Sequence, residues 1–437
     1  MKRLLILLTF WVLPAFAQTS VATGTFTAPT LSTAAIEVNI TGAFQPRVVC
    51  MWTTYPGTAV DGADNYSLSF GCMTDEATDQ QRGIWMGCDQ AIDASDCNQI
   101  MYDDKVARVY NGGTTLVGDL GMTTFDSDGF TVTPADAFTT DTVFGYWALG
   151  GADITDASLD TIARGTGTGQ YSTTAPGFQP DFLMLFSTSG GASVNSTAAS
   201  AFFNIGFTDG EDAALMSTEA LDAVTTSDTR QYTRSGSGQL EIWALTVAAT
   251  DVSNRDSFVS FNVTGFTLDA IENSGTSRSL FALTIKGGQW HVGDLLSLTS
   301  LADITETGSG FTPKGLVFIQ PARASTTQNT LDASTAQASM SIGAAQSATS
   351  RFAMTTTGTD NDAQNDAYFN NQLTDKIQAR YDTANALLSD IDFKTFDADG
   401  FTLTQEDADA AQFFCIYFIV GDNAAVTGQK RQRRFRW

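Results

Sequence analysis

Histidine is almost missing from this chain of 437 residues: His291, beside Trp290, is the only one. Zinc sites with several histidines are therefore excluded, and chemistry that needs a histidine base has a single candidate, which reads as structural. Basic side chains are scarce too, 23 Lys and Arg against 48 Asp and Glu, a formal charge of -25. A surface with that excess of carboxylates repels phosphate backbones, so the folded body is not expected to bind nucleic acid. Long apolar runs are confined to the start, where Met1-Lys2-Arg3 precedes an apolar stretch from Leu4 to Leu13 and Ala15-Phe16-Ala17 forms a small-x-small cleavage site. That layout predicts a secretory signal peptide over residues 1–17, too short to span a bilayer comfortably. Its removal takes Lys2 and Arg3 with it and leaves -27. No later segment approaches the roughly 20 apolar residues of a membrane helix, so the mature chain is expected outside the membrane, as an exported protein.

Cysteine is also sparse, five residues in all. Four of them, Cys50, Cys72, Cys88 and Cys97, crowd into the first third, and in an exported chain they are candidates for one or two disulfides. Cys88 and Cys97 would close the shortest loop, but spacing leaves the three full pairings open. A zinc site of four cysteines is the rival, weakened by the lack of any Cys-x-x-Cys pair. Cys415 sits in the apolar run from Phe413 to Val420 and reads as a buried free thiol.

What the sequence has in abundance is repetition. Ala43-Phe44-Gln45-Pro46, Gly177-Phe178-Gln179-Pro180 and Gly310-Phe311-Thr312-Pro313 place one landmark three times, with phenylalanines 134 and 133 residues apart. Gly129-Phe130, Gly265-Phe266 and Gly400-Phe401 place a second, at steps of 136 and 135. Two landmarks on one period predict three homologous domains, 18–153, 154–288 and 289–427, followed by a basic tail, 428–437.

Each copy is a succession of short apolar runs between Gly, Ser, Thr, Asn and Asp. Val48 to Trp52, Phe182 to Phe186 and Leu316 to Ile319 suit strands covered on both faces, with proline tolerated just ahead of them. Tyr66 to Cys72 and Ser339 to Gly343 alternate apolar and polar, as in an antiparallel sheet with one wet face. Asp128-Gly129 and Asp399-Gly400 mark tight hairpins. No stretch keeps a 3.6-residue apolar period. The count is seven to nine strands per copy, and the expected fold is all-β: three tandem antiparallel, jelly-roll-like β-sandwiches. Linkers are expected near 150–168 and 287–294, short enough for a compact or beaded array.

Candidate chemistry is thin. Asp126 and Asp128, with Asp397 and Asp399, alternate as in part of a calcium loop, but the middle copy has Asn262 and Thr264 there, which favours a turn role over a metal. No other cofactor is implied. Trp52, Trp85, Trp147, Trp243 and Trp290 read as core, with sugar stacking as the alternative if they face outward. The tail Gln429-Lys430-Arg431-Gln432-Arg433-Arg434-Phe435-Arg436-Trp437 is either a solvated extension or a docking peptide for an acidic partner, anchored by Phe435 and Trp437.

The order of Gly-Phe-x-Pro, apolar strand, alternating strand, Phe-Asp-x-Asp-Gly-Phe-Thr and aromatic strand resembles β-rich repeats of bacteriophage virion proteins. The resemblance covers nearly the whole mature chain and brings no catalytic residue. It implies a non-enzymatic fibre or decoration protein whose partners are other virion or cell-surface proteins, with glycans possible ligands. An exported adhesin or lectin-like carbohydrate-binding protein is the second reading, motivated by the leader.

Overall fold

A computed structural model describes residues 18–40, 42–55, 65–75, 80–89, 96–111, 114–188, 194–222, 229–236, 238, 240–246, 252–321, 337–359, 369–382 and 385–423. The leader and the basic tail, with Phe435 and Trp437, lie outside them.

The first repeat contributes β1 (Ser20–Ala28), β2 (Ile36–Asn39), β3 (Pro46–Thr54), β4 (Asn65–Thr74), β5 (Gln81–Asp89), β6 (Asp96–Tyr102), β7 (Ala107–Tyr110), β8 (Leu116–Asp126), β9 (Gly129–Thr133) and β10 (Thr142–Gly150). The second has β11 (Asp156–Arg164), β12 (Gly169–Thr173), β13 (Phe182–Ser187), β14 (Ser196–Ala199), β15 (Ala201–Thr208), β16 (Ala213–Ala220), β17 (Thr229–Arg234), β18 (Glu241–Thr246), β19 (Val252–Asn262), β20 (Gly265–Glu272) and β21 (Arg278–Lys286). The third has β22 (Gln289–Leu296), β23 (Asp303–Thr307), β24 (Pro313–Pro321), β25 (Gln337–Ser347), β26 (Ser350–Thr359), β27 (Phe369–Leu373), β28 (Gln378–Tyr381), β29 (Leu387–Asp397), β30 (Gly400–Asp407) and β31 (Phe414–Gly421).

Each repeat is a β-sandwich of a larger and a four-stranded antiparallel sheet. In the third the orders are β22-β31-β24-β25-β26-β27 and β23-β30-β29-β28. The first two and last two strands of a repeat alternate between the sheets, in the jelly-roll manner, and the strands between them run as two meanders. The first repeat's larger sheet gains a seventh strand, because β14 of the second repeat pairs with β6.

The segments expected as linkers are largely strand. β11 and β22 are the opening strands of repeats two and three, hydrogen-bonded along their length to β21 and β31. Their polar residues hid them: β11 is Asp-Ala-Ser-Leu-Asp-Thr-Ile-Ala-Arg, and its neighbours bury it where composition alone suggests a loop. Among the described residues the strand counts are accordingly ten, eleven and ten, above the seven to nine expected.

The continuous apolar runs have a specific cause. Val49 and Met51 of β3 face their own sandwich, while Val48, Cys50 and Trp52 face a second core. Leu183 and Leu185 against Phe182, Met184 and Phe186, and Leu316 and Phe318 against Val317 and Ile319, divide the same way. The second core is one cluster shared by all three repeats. The larger sheet is thus buried on both faces, once by its partner sheet and once by the other two repeats, so alternation is lost.

The repeats close into a ring. The opening strand of each packs on the sheet of the repeat before it: β11 on β3 and β4, β22 on β15 and β16, and β1 on β24, β25 and β26. This is head-to-tail contact that closes after three, the geometry of a cyclic trimer in one polypeptide. Covalent linkage frees the copies to differ. Gly145 stands where repeats two and three have Phe281 and Ile416, and the ring of Phe352 from repeat three fills the space, with a Cβ on Gly145 lying 1.7 Å from it.

One glycine is required three times. A Cβ on Gly71, Gly206 or Gly343 would sit 1.9, 1.8 or 1.9 Å from the backbone oxygen of Val106, Ile242 or Ile377. The two sheets approach too closely there for any side chain. Gly206→Ala is expected to destabilise by about 2–3 kcal/mol, read as a lowered urea midpoint, because the obstruction is backbone and cannot rotate away.

Candidate functional site

The features that distinguish this molecule lie along its three seams and at one end of its axis. At each seam the same backbone position of the opening strand is met by the turn between the fourth- and fifth-strand equivalents of the preceding repeat, with different chemistry. Thr23 and Ser350 share three hydroxyl contacts, Thr23 Oγ1 donating to the Ser350 carbonyl at 2.8 Å, Oγ1 to Oγ at 3.1 Å, and Ser350 Oγ donating to the Thr23 carbonyl at 2.7 Å. The Leu159 N–H donates to Gln80 Oε1 at 3.0 Å. The Val292 N–H donates to Asp209 Oδ2 at 3.2 Å. The Trp52 Nε1–H adds a bond to the Ile342 carbonyl at 3.1 Å across the closing seam.

Near the chain ends an aromatic cluster joins all three repeats. Phe418 packs on Trp147 at 5.5 Å, Phe182 at 5.0 Å and Phe207 at 5.1 Å, and Trp290 stacks on Phe182 at 4.1 Å. Above it a polar cap ties the start of the described chain to its end: the Thr19 N–H donates to Asp422 Oδ1 at 2.7 Å, the Asn423 N–H to Asp153 Oδ2 at 2.8 Å, and Lys314 Nζ to Asp422 Oδ1 at 2.6 Å. Beside the cap, Phe44, Phe396, Lys314, Gln18 and Gln346 line an open cleft of about 350 Å³ at the seam between repeats three and one. Phe44 of the first mark meets there Phe396, which opens the Phe-Asp-x-Asp-Gly-Phe hairpin of the third copy. The far ends of β3, β13 and β24, and the starts of β4, β15 and β25, point away from the cap.

The cysteines resolve into two cross-strand pairs, Cys50 with Cys72 between β3 and β4, and Cys88 with Cys97 between β5 and β6. All four line the shared core, so the bridges stiffen the face of repeat one that the other repeats contact. Cys415 is buried and unbridged, its thiol pushed well up by burial.

The alternating acids do not converge. Asp126 accepts hydroxyl bonds from Thr124 at 2.9 Å and Thr131 at 2.7 Å, Asp397 accepts one from Thr402 at 2.7 Å, and Asp399 Oδ1 accepts the Gly310 N–H at 2.6 Å. Asp128 contributes its backbone carbonyl to Ile40. In the middle copy Asn262 Nδ2 donates to Thr267 Oγ1 at 2.9 Å, the same link made by an amide. These are turn-closing side chains, and no group of three or more His, Cys, Asp or Glu with metal-holding geometry occurs among the described residues. The melting temperature is expected to be equal in calcium and in chelator; a rise of several degrees with calcium would contradict the turn role.

Trp52, Trp85, Trp147 and Trp243 are buried, so the sugar-stacking alternative fails for these four, while Trp290 is half-buried and stacks on Phe182. His291 is half-buried near Tyr417, and burial lowers its pKa.

Sequence reasoning missed two charged devices. The first occurs three times. Lys105 with Asp119, Glu241 with Arg255 and Lys376 with Asp390 occupy equivalent positions at 3.9, 3.2 and 3.1 Å, with the signs reversed in the middle repeat. The second is confined to repeat two. Arg164 and Asp256 are wholly buried, paired at 2.8 Å, with the Tyr171 hydroxyl donating to Asp256 at 2.6 Å, Arg164 Nη1 to Asn254 Oδ1 at 3.1 Å, and the guanidinium 5.1 Å from the Trp243 ring centre. Repeat one has Ala28, Leu120 and Ile36 at the positions of Arg164, Asp256 and Tyr171.

Neither a family model nor a curated protein matches the chain.

Proposed function

We propose that the chain is a non-enzymatic structural protein of a virus-particle surface, of fibre or decoration type. The observation that carries this reading is the closed ring of three β-sandwiches on one shared core, with both described chain ends tied together at one end of the axis. A homotrimer on a particle presents three equal faces; fused copies keep that form while each face diverges. The capped end, where both described chain ends lie, suits attachment. The resemblance of the repeat to virion proteins supports the same reading. Purified particles should contain the protein in stoichiometric amount by mass spectrometry, and recovery only as free protein in the medium would overturn the proposal.

A second reading, an exported adhesin or lectin-like protein, is favoured by the two disulfides of repeat one, which are typical of chains folded in oxidising compartments. A glycan array on which the protein binds nothing would count against this second reading.

A further inference from the structure

Three copies of one fold in one chain offer one another interchangeable parts. The hairpins β8–β9, β19–β20 and β29–β30 match most closely: each turns on a glycine whose Cβ would fall 2.0–2.1 Å from a backbone oxygen, that of Val38, Thr173 or Glu306. Next to that glycine Phe130, Phe266 or Phe401 is buried, opposite Phe125, Phe261 or Phe396 in the register of the hairpin. As far as backbone and aromatic packing go, the hairpin of one repeat therefore fits the socket of another. Exchange of such parts is a characteristic misassembly of repeat proteins.

Repeat two alone carries a feature that would not survive the exchange. Arg164 of β11 and Asp256 of β19 are wholly enclosed. Among the described residues the guanidinium finds all its acceptors on the hairpin: both Asp256 oxygens at 2.8 and 2.9 Å, Asn254 Oδ1 at 3.1 Å and the Glu272 carbonyl. Tyr171 of β12 donates to the same Asp256 at 2.6 Å. The hairpins of repeats one and three have Leu120 and Ile391 in place of Asp256, and opposite them stand Ala28 with Ile36 and Ser297 with Ile304 in place of Arg164 with Tyr171. An exchange would thus strand the guanidinium against leucine or isoleucine in one sandwich and leave the carboxylate without a cation in the other. An unpaired buried charge is strongly unfavourable even where the intact pair contributes little.

We propose that Arg164, Tyr171, Asn254 and Asp256 form a pairing address, which ties hairpin β19–β20 to repeat two and bars its exchange with the hairpin of repeat one or three, in the same chain or in a second copy of this chain. Repeat two is the copy where one address suffices, because it adjoins both others along the chain. Discrimination of this kind depends on what the wrong partner lacks, so the set need not add to the stability of the correct fold. The ion pair where the chain crosses between sheets marks the same repeat: exchange would set Glu241 beside Asp119 or Asp390, and Arg255 beside Lys105 or Lys376. Arg234 stays with Glu241, and Glu272 with Arg255, in either arrangement, so this pair adds less than the enclosed set.

Refolding of the full chain from denaturant, followed by carbodiimide cross-linking and peptide mass spectrometry, tests this. The reagent joins a lysine to a carboxylate in contact with it, so Lys105 linked to Asp119 and Lys376 linked to Asp390 report correct pairing, while either lysine linked to Glu272 reports exchange. Wild type should give the correct links almost alone. Arg164→Ala/Asp256→Leu/Tyr171→Ile erases the address, and Ala28→Arg/Leu120→Asp/Ile36→Tyr copies it into repeat one; each should raise the share of exchange links at least about threefold. Gly206→Ala, which strains repeat two without touching the address, should keep the wild-type share. Exchange links as frequent in wild type as in the variants, a wild-type share in both variants, or an equal rise in Gly206→Ala would each overturn the proposal. Erasing and copying act by opposite routes, so either variant decides the matter if the other fails to fold.

Discussion

Phe418→Ala is expected to lower the stability of the whole molecule by about 3–5 kcal/mol, the range for emptying a buried phenylalanine site that cannot collapse. The ring touches Trp147 of repeat one and Phe182 and Phe207 of repeat two from its place in repeat three. The cavity would therefore open where three sheets meet, and none of the sheets can move to close it without disturbing its own sandwich. Guanidinium unfolding followed by tryptophan fluorescence checks the magnitude. It also checks the architecture, because the same truncation at Phe393, which is buried within the sandwich of repeat three alone, should leave repeats one and two closer to wild type. Equal and independent behaviour of the three repeats in both variants would contradict a shared core.

The second large effect concerns the buried charges of repeat two. Asp256→Leu leaves the guanidinium of Arg164 fully enclosed without its carboxylate, and a loss of about 3–5 kcal/mol is expected. Replacing the whole set by what repeat one has, Arg164→Ala with Asp256→Leu and Tyr171→Ile, should recover most of that loss, because an apolar set of fitting volume removes the desolvation cost along with the attraction. Thermal unfolding of the single and triple variants measures both. A single variant as stable as wild type would show that Arg164 reaches water in solution; a triple variant no better than the single would show that the volumes of the two repeats are not interchangeable at this site.

Much of the fold was legible in residues alone. The two phenylalanine marks gave the number of domains, and the structure explains why they persist. The ring of Phe44 lies against Gly150 and that of Phe311 against Gly421, and a Cβ on Gly129, Gly265 or Gly400 would fall 2.0–2.1 Å from the backbone oxygen of the neighbouring strand. The Asp-Gly hairpins were legible for a similar reason, since a tight turn restricts which residues can occupy it. The opening strands were not legible. Gln289-Trp-His-Val-Gly-Asp-Leu-Leu carries no clean alternation, because its inward residues answer to repeat two on one side and to its own sandwich on the other. The candidate site was legible only in outline. Cys50, Cys72, Cys88 and Cys97 were recognisable as disulfide candidates, but their pairing followed from register, which sets Cys50 opposite Cys72 and Cys97 opposite Cys88.

The sequence by itself determined what is local and periodic: an all-β chain of three copies, turns at fixed offsets, and strands so apolar that both faces had to be covered. Tertiary structure decided what covers the second face. That partner is the other two repeats, tens to hundreds of residues away, and no pattern within one strand distinguishes burial by its own sandwich from burial by a neighbour. The reversed ion pair at Glu241 and Arg255 and the enclosed Arg164 were equally illegible, because each depends on side chains from different strands that meet only once the sandwich of repeat two has folded.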